Sequence, residues 1–387
     1  MSLESIIQNK NDISTDLSQH AREVKSLGTA YSHKENKRVP ITFACDEQLW
    51  LKISGYTFRE FYTTPEVHLK AQLEGKHWFC QNIIGDMIPG PPEQWSVSVQ
   101  LWMEENEFFG CDVIYQEDDY AWAKPLALDK ESLLRFLSDI HPEERVRQSS
   151  TFKMYQALKE LSNGMAFVEK PVEVIRPGGS THGIFTKAAE IRGLGQICLD
   201  MHDDPDFVER LLHLVTEKTI GRIKAWHKLT TGSDLQMPSD GGFHFCDDSL
   251  QLLSAKTYKR FILPGHEHLY SAMTKGKRSI HLCGRASQHY NVLRHKLNVT
   301  AIDGPGPFVD HGRYFQEFGA DFSFRAQTDH SILAYGSETE INSMMQQLLQ
   351  PEAKVPGRFQ IMGFITRDTP IHNVQICYQA GREYGII

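Results

Sequence analysis

No run of apolar residues approaches the ~20 that a membrane-spanning helix needs. Residues 1–25 carry charges throughout and lack the apolar stretch of a secretory leader. Cysteine is sparse and unpaired: seven residues with no paired spacing, a pattern of reduced thiols rather than a disulfide framework. A dominant charge of one sign is missing too, with 41 Lys plus Arg against 49 Asp plus Glu, a net charge of -8 and no long like-charge block. That balance argues against nucleic acid and anionic membranes as partners. No strand runs directly into a G-x-G-x-x-G turn, which weakens an open, dinucleotide-binding sheet. These absences together predict a soluble cytoplasmic enzyme.

What is present is a chain of 387 residues, 40% hydrophobic and 23% charged, enough for one large α/β domain or two medium ones. A polar helical stretch, 2–27, carries a weak stripe of Ile6, Ile7, Ile13 and Leu17 and is expected to be an N-terminal extension over 1–36. A first strand follows at 39–44, then a helix bearing Leu49, Trp50 and Leu51, and another that starts at Thr64-Pro65. The stretch 111–115 reads as a strand with an acidic tail. From about 150 the rhythm becomes regular. Strands are expected at 171–175, 234–238, 279–283, 300–303, 322–324 and 359–362, with helices at 150–164, 185–192, from 204, 255–275, 287–297, 337–349 and 371–384. Repeated strand-helix units without a linker predict a (β/α)8 TIM barrel over 37–387.

In such a barrel, chemistry gathers at the carboxyl ends of the strands. Residues at those junctions include Asp86, His182, Cys246, Asp248, His281, Cys283, Asp303, Gln327 and Arg367. Period-two alternation puts His281 and Cys283 on one face. An imidazole and a thiol so placed suit zinc. They supply only half of a tetrahedral shell, and taken alone they are better explained as a buried histidine beside a core cysteine. Cys246, at the preceding strand end, is a third soft ligand.

Asp247-Asp248-Ser249, Leu253-Ser254, Tyr258-Lys259-Arg260-Phe261-Ile262-Leu263-Pro264 and the turn His281-Leu282-Cys283-Gly284 resemble the uroporphyrinogen decarboxylase superfamily. Further pieces agree in order: 183–188, Asp204-Pro205, Gln327-Thr328-Asp329, Tyr335-Gly336, 369–374 and 383–385. The His-x-Cys-Gly turn resembles the zinc-dependent corrinoid methyltransferases within it. The resemblance implies a methyl group moved between a small-molecule donor or acceptor, a methyl ether or thiol, and a corrinoid (cobalamin) carried by a partner protein. It implies metal ligands His281, Cys283 and a second cysteine before the Thr369-Pro370 that opens the last helix. That segment has no cysteine, so the expected third ligand is Cys246, with Asp248 as substitute. Asp248, Asp86 and His182 are the expected catalytic acids and bases, and Gln327, Asp303 and Arg367 the expected substrate contacts.

The decarboxylase branch carries an arginine-rich segment near the N-terminus for its polycarboxylate substrate. Residues 39–45 offer nothing of the kind, and a multiply anionic substrate needs several cationic donors. A metal-free decarboxylase or lyase stays as the alternative, and a barrel kept only for binding as a third. Trp78, Trp95, Trp102 and Trp122 are candidates for an aromatic pocket or a docking rim. A homodimer is left open.

Overall fold

The computed structural model describes residues 17–99, 101–177 and 179–387. Ile6, Ile7, Ile13 and the glycine at 178 therefore lie outside the described residues. In chain order the strands are β1 (Ile41–Cys45), β2 (Trp95–Val97), β3 (Asp112–Ile114), β4 (Trp122–Lys124), β5 (Ala166–Phe167) and β6 (Lys170–Val174). They continue with β7 (Phe243–Cys246), β8 (Arg278–His281), β9 (Val299–Asp303), β10 (Ser323–Gln327) and β11 (Phe359–Ile365).

Six of these form one parallel sheet in the order β1-β11-β10-β9-β8-β7. The wall extends past β7 by the parallel bridge of His182 to Cys246 and past β1 by the bond from Asp86 N to Ile41 O, 2.7 Å. β2 and β6 form a short parallel pair. This is the α/β TIM barrel, with part of its wall built from irregular backbone instead of the eight regular strands expected. Among the described residues no helix is long and apolar enough to cross a membrane.

Local signals explain most of the helices. Asp204 caps the 27-residue helix Pro205–Thr231, its side chain accepting from Phe207 N, and Pro205 opens it. Capping boxes start Phe58–Thr63, from Thr57 and Glu60, and Glu338–Leu348, from Ser337 and Glu340. The helices Leu263–Met273, Tyr290–Leu297, His311–Phe318, Glu338–Leu348 and Ile371–Tyr384 follow β7 to β11 in turn. They bury Leu269, Leu293, Phe315, Met345 and Val374 in the shared core. Cys377 packs there as well, its sulfur 3.5 Å from that of Met345 on the barrel flank.

Three expectations need correcting. The stretch 234–238 is no strand: it is mostly exposed, and Met237-Pro238 is a cis peptide. The strand lies at Phe243–Cys246, where Phe243 and Phe245 are buried and His244 and Cys246 face the other way. The stretch 111–115 contributes β3, but β3 pairs antiparallel with β4 and stands apart from the barrel sheet. Trp95 is fully buried in a small cluster with Val97, Leu158 and Val174, which makes it a core residue rather than a docking rim. Trp122 is exposed and Trp78 packs on the main core.

Candidate metal centre

His281 ends β8, and Cys283 follows two residues later in a turn made by Gly284 at φ +66°. The His281 Nε2 lies 3.0 Å from the Cys283 sulfur and 3.5 Å from Asp248 Oδ1. Asp248 sits just beyond β7, where its Oδ1 also accepts from the Cys283 backbone N–H at 3.1 Å. Asp248, His281 and Cys283 each offer a ligand atom, and these atoms all lie within 4.8 Å of one another. One nitrogen, one sulfur and one carboxylate oxygen form a donor set that fits zinc with a position left open.

The other ring nitrogen of His281 is held from behind. Nδ1 lies 2.9 Å from Asp303 Oδ1 at the end of β9, and Asp303 in turn accepts from Arg325 of β10. A carboxylate on one imidazole nitrogen fixes the tautomer that directs the other at a metal. Burial alone would lower the His281 pKa, but Asp303, Cys283 and Asp248 outweigh it and push it up to about 10. The Asp303 carboxyl, despite burial, is held below its usual range by His281, Arg325 and His244. Gly304, at φ +94°, makes room for the ring: a Cβ there would come within 2.8 Å of His281 Cε1.

Cys246 is the register partner of His281 across β7 and β8, but it does not belong to the three-residue cluster. Burial, with Asp248 and Asp303 nearby, pushes its thiol well up. Asp247 and Asp248 diverge as alternation demands. Asp247 is fully buried and accepts from Phe185 N, Thr186 N, Thr186 Oγ1 and His266 Nε2. Gly183 is what lets the next segment pass, since a Cβ there would lie 2.1 Å from the Asp247 carboxyl carbon.

His182 stands beside Cys246, its side chain about a third exposed. Glu105 accepts from its backbone N–H at 3.1 Å and meets its Nδ1 at 2.9 Å. Beneath lies a buried charge cluster: Arg222 donates to Glu104 and Glu105 at 2.6 Å each, and Lys187 Nζ is 3.6 Å from Glu105. Burial would raise the Glu105 carboxyl, yet Arg222, His182 and Lys187 hold it well below its usual range. The sequence reading missed this cluster. Its one visible trace is the polar run Glu104-Glu105-Asn106-Glu107 in the short helix Leu101–Phe108.

The remaining candidates lie elsewhere. Asp86 is at the amino end of β1, the opposite end from the metal candidates, where it pairs with Arg38 (2.6 Å) and accepts from Ile41 N (2.7 Å) and Tyr378 Oη (2.9 Å). The expectation of a strand's carboxyl end fails because 83–86 returns alongside the start of β1. Gln327 ends β10 and is nearly buried. Arg367 follows β11 and donates to the Asp118 carbonyl at 2.8 Å, away from the cluster.

A parallel barrel with a His-x-Cys-Gly turn and three convergent donor side chains at its strand ends defines an α/β barrel with a candidate metal centre. The family model of uroporphyrinogen decarboxylase (URO-D) matches residues 97–384, and the chain belongs to that family. No curated protein matches it. Among solved structures it is similar to a methyltransferase from Methanosarcina mazei, TM-score 0.60, 14% identity, covering 92% of this chain and 97% of that one. A B12-independent methionine synthase from Shewanella sp. W3-18-1, in complex with selenomethionine, is a looser likeness at TM-score 0.35 and 11% identity, covering 72% and 74%.

Proposed function

We propose that the chain is a zinc-dependent methyltransferase that moves a methyl group between a methyl ether or thiol and a corrinoid carried by a separate protein. The observation that carries this reading is the convergence of Asp248, His281 and Cys283 with Asp303 behind the imidazole. When bound there, zinc supplies a Lewis acid for the heteroatom that gives or takes the methyl group. Asp303 holds the proton on Nδ1, so Nε2, beside Cys283 and Asp248, is the nitrogen that would give up its proton to ligate a metal. The Cys283 backbone N–H holds Asp248 in line. His182, with Nδ1 turned to Glu105, keeps Nε2 for the proton that a thiol releases on methylation.

The same family contains decarboxylases, and the end of β1 bears on the choice. Cys45, Asp46 and Glu47 stand there, with Tyr120 and Tyr62 donating to the two acids. Acids at that edge are the wrong sign for a polycarboxylate, which favours methyl transfer.

Metal analysis of the purified protein tests the proposal. About one zinc per chain is expected, with His281→Ala and Cys283→Ser each losing the metal while keeping the wild-type melting profile of the metal-free protein. X-ray absorption should show one sulfur neighbour, from Cys283. A second sulfur would bring Cys246 into the shell, and absence of zinc would overturn the reading.

A further inference from the structure

Beside β7 the barrel wall is completed by a carboxylate. Residues 181–182 are the wall segment next to β7: Cys246 N donates to Thr181 O at 3.1 Å, and His182 is the parallel bridge partner of Cys246. Successive residues of a strand turn their backbone groups to opposite edges, so the His182 N–H points away from β7, to where a neighbouring strand would offer a carbonyl. It meets the two oxygens of Glu105 instead, at 3.1 and 3.2 Å. The same carboxylate takes the ring, with Nδ1 2.9 Å from Oε2. Glu105, 1% exposed, thus holds both the backbone and the imidazole of a residue whose side chain is 32% exposed.

Closing the wall does not by itself call for so much buried charge. Arg222 is fully buried and donates to Glu104 through Nη1 and to Glu105 through Nη2, at 2.6 Å each. Lys187 Nζ lies 3.6 Å from Glu105 and 3.1 Å from Asn106 Oδ1. Packed apolar side chains fill such a space at less cost than paired ions. The two acids also differ in state. Burial raises the Glu104 carboxyl, and Arg222 does not offset it. Burial would raise Glu105 too, but Arg222, His182 and Lys187 together hold it well below its usual range. Adjacent groups driven apart by their surroundings are a mark of acid–base chemistry.

We propose that Glu105 is a positioning residue for methyl transfer to an alkyl thiol, fixing His182 with a proton on Nδ1 and with Nε2 as the acceptor at the barrel mouth. Cys246 stands between His182 and His281 in the wall. The two imidazoles therefore share a face, their backbones ~10 Å apart across two strand spacings, and side chains that reach inward close part of that distance. An alkyl thiol arrives protonated at neutral pH. Its S–H bond breaks as the proton passes to His182 Nε2, and the S–CH3 bond forms. The carbon–cobalt bond of the methylated corrinoid breaks, its electron pair staying on cobalt, and the proton then leaves Nε2 for solvent. This role for Glu105 rests on the methyl-transfer reading and adds to it the class of acceptor. Arg222 acts one step further back, keeping the Glu105 charge in place.

Two measurements on the full-length protein test it. Nitrogen-15 NMR of histidine-labelled protein, with His182→Gln identifying the signals, reads the tautomer of the neutral ring. The wild type should hold the His182 proton on Nδ1, although free histidine favours Nε2. Glu105→Gln should relax that preference, while Glu104→Gln, which removes a carboxylate from the same buried cluster without touching His182, should keep it. Methyl transfer from free methylcobalamin is then followed by absorbance at about pH 7.5, with 2-mercaptoethanol, mostly protonated there, and with thiophenol, mostly ionised. Glu105→Gln should slow the alkyl thiol by about tenfold or more relative to thiophenol, because only the alkyl thiol needs a base. Glu104→Gln should keep the wild-type ratio. Equal losses with both thiols, or the same ratio in the two glutamine variants, would make Glu105 a structural residue and overturn the proposal. A wild-type proton on Nε2 would overturn the Glu105 assignment alone, whereas a wild type that turns over neither thiol would overturn the methyl-transfer reading beneath it.

Discussion

Glu47→Gln is expected to stabilise the protein, and only above a particular pH. Glu47 is the first residue of the helix Glu47–Ser54, yet its side chain is only 3% exposed. Tyr62 Oη donates to its Oε1 at 2.8 Å. Burial, with the Asp46 charge beside it, raises its pKa from 4.5 to about 7. A carboxyl whose folded pKa is raised works against folding once it ionises. Below about pH 4.5 it is neutral in both states and contributes no penalty. Between about 4.5 and 7 the unfolded chain gives up the proton that the folded chain keeps. Wild-type stability therefore falls by ~1.4 kcal/mol per pH unit from this group. Above about 7 the penalty is complete, at ~3 kcal/mol for a shift of this size. Glutamine keeps the shape and the acceptor for Tyr62 but cannot ionise. Urea denaturation of both proteins at about pH 4, 6 and 8 should show curves that coincide at the lowest pH and separate as pH rises, with the variant more stable. A constant gap across the series, or a less stable variant at about pH 8, would refute the reasoning.

Asp303→Asn should weaken zinc binding by about 10–100-fold while leaving the site formed, because the partner of His281 Nδ1 loses its charge but not its place. Competition against a chromophoric chelator measures this, and an unchanged affinity would put the metal away from His281. Arg222→Leu leaves Glu104 and Glu105 buried opposite an apolar side chain, with only Lys187 and His182 to compensate Glu105. It should cost ~3–5 kcal/mol. A fall in unfolding free energy below about 1 kcal/mol would show that the two acids are already neutral.

The regular half of the chain was legible because its local signals agree with the tertiary fold. Asp204-Pro205 opens the long helix, and the final helix runs over Ile371–Tyr384 as its pattern predicts. That His281 and Cys283 share one face was readable from period-two spacing, and their 3.0 Å contact agrees with it. Asp248 was harder, since alternation says only that one of two adjacent acids faces the mouth, and the helix segment carrying Thr186 and Phe185 decides which. The β7 strand was misplaced because Phe-His-Phe-Cys is short and follows two glycines, so it reads as loop until a neighbouring strand pairs with it. The Glu104, Glu105, Arg222 and Lys187 cluster was unreadable for a different reason. Its members come from three helices, and only the packing of Leu101–Phe108, Ile184–Arg192 and Pro205–Thr231 brings the charges together.

The pairing of β1 with β11 sets a timetable for biosynthesis. Thr42 Oγ1 donates to the Ile361 carbonyl across 319 residues of sequence, and Val39 N bonds to Gly385 O. Contacts of such long separation form late, because the intervening loop must close first. The first strand therefore leaves the ribosome long before its partner exists, with one edge bare. The neighbouring run β7 to β10, which carries His281 and Asp303, has its partners close by in sequence and can assemble earlier. A nascent chain halted between β10 and β11 would hold the candidate metal ligands on an unfinished wall, and its exposed β1 edge is where a chaperone would be needed.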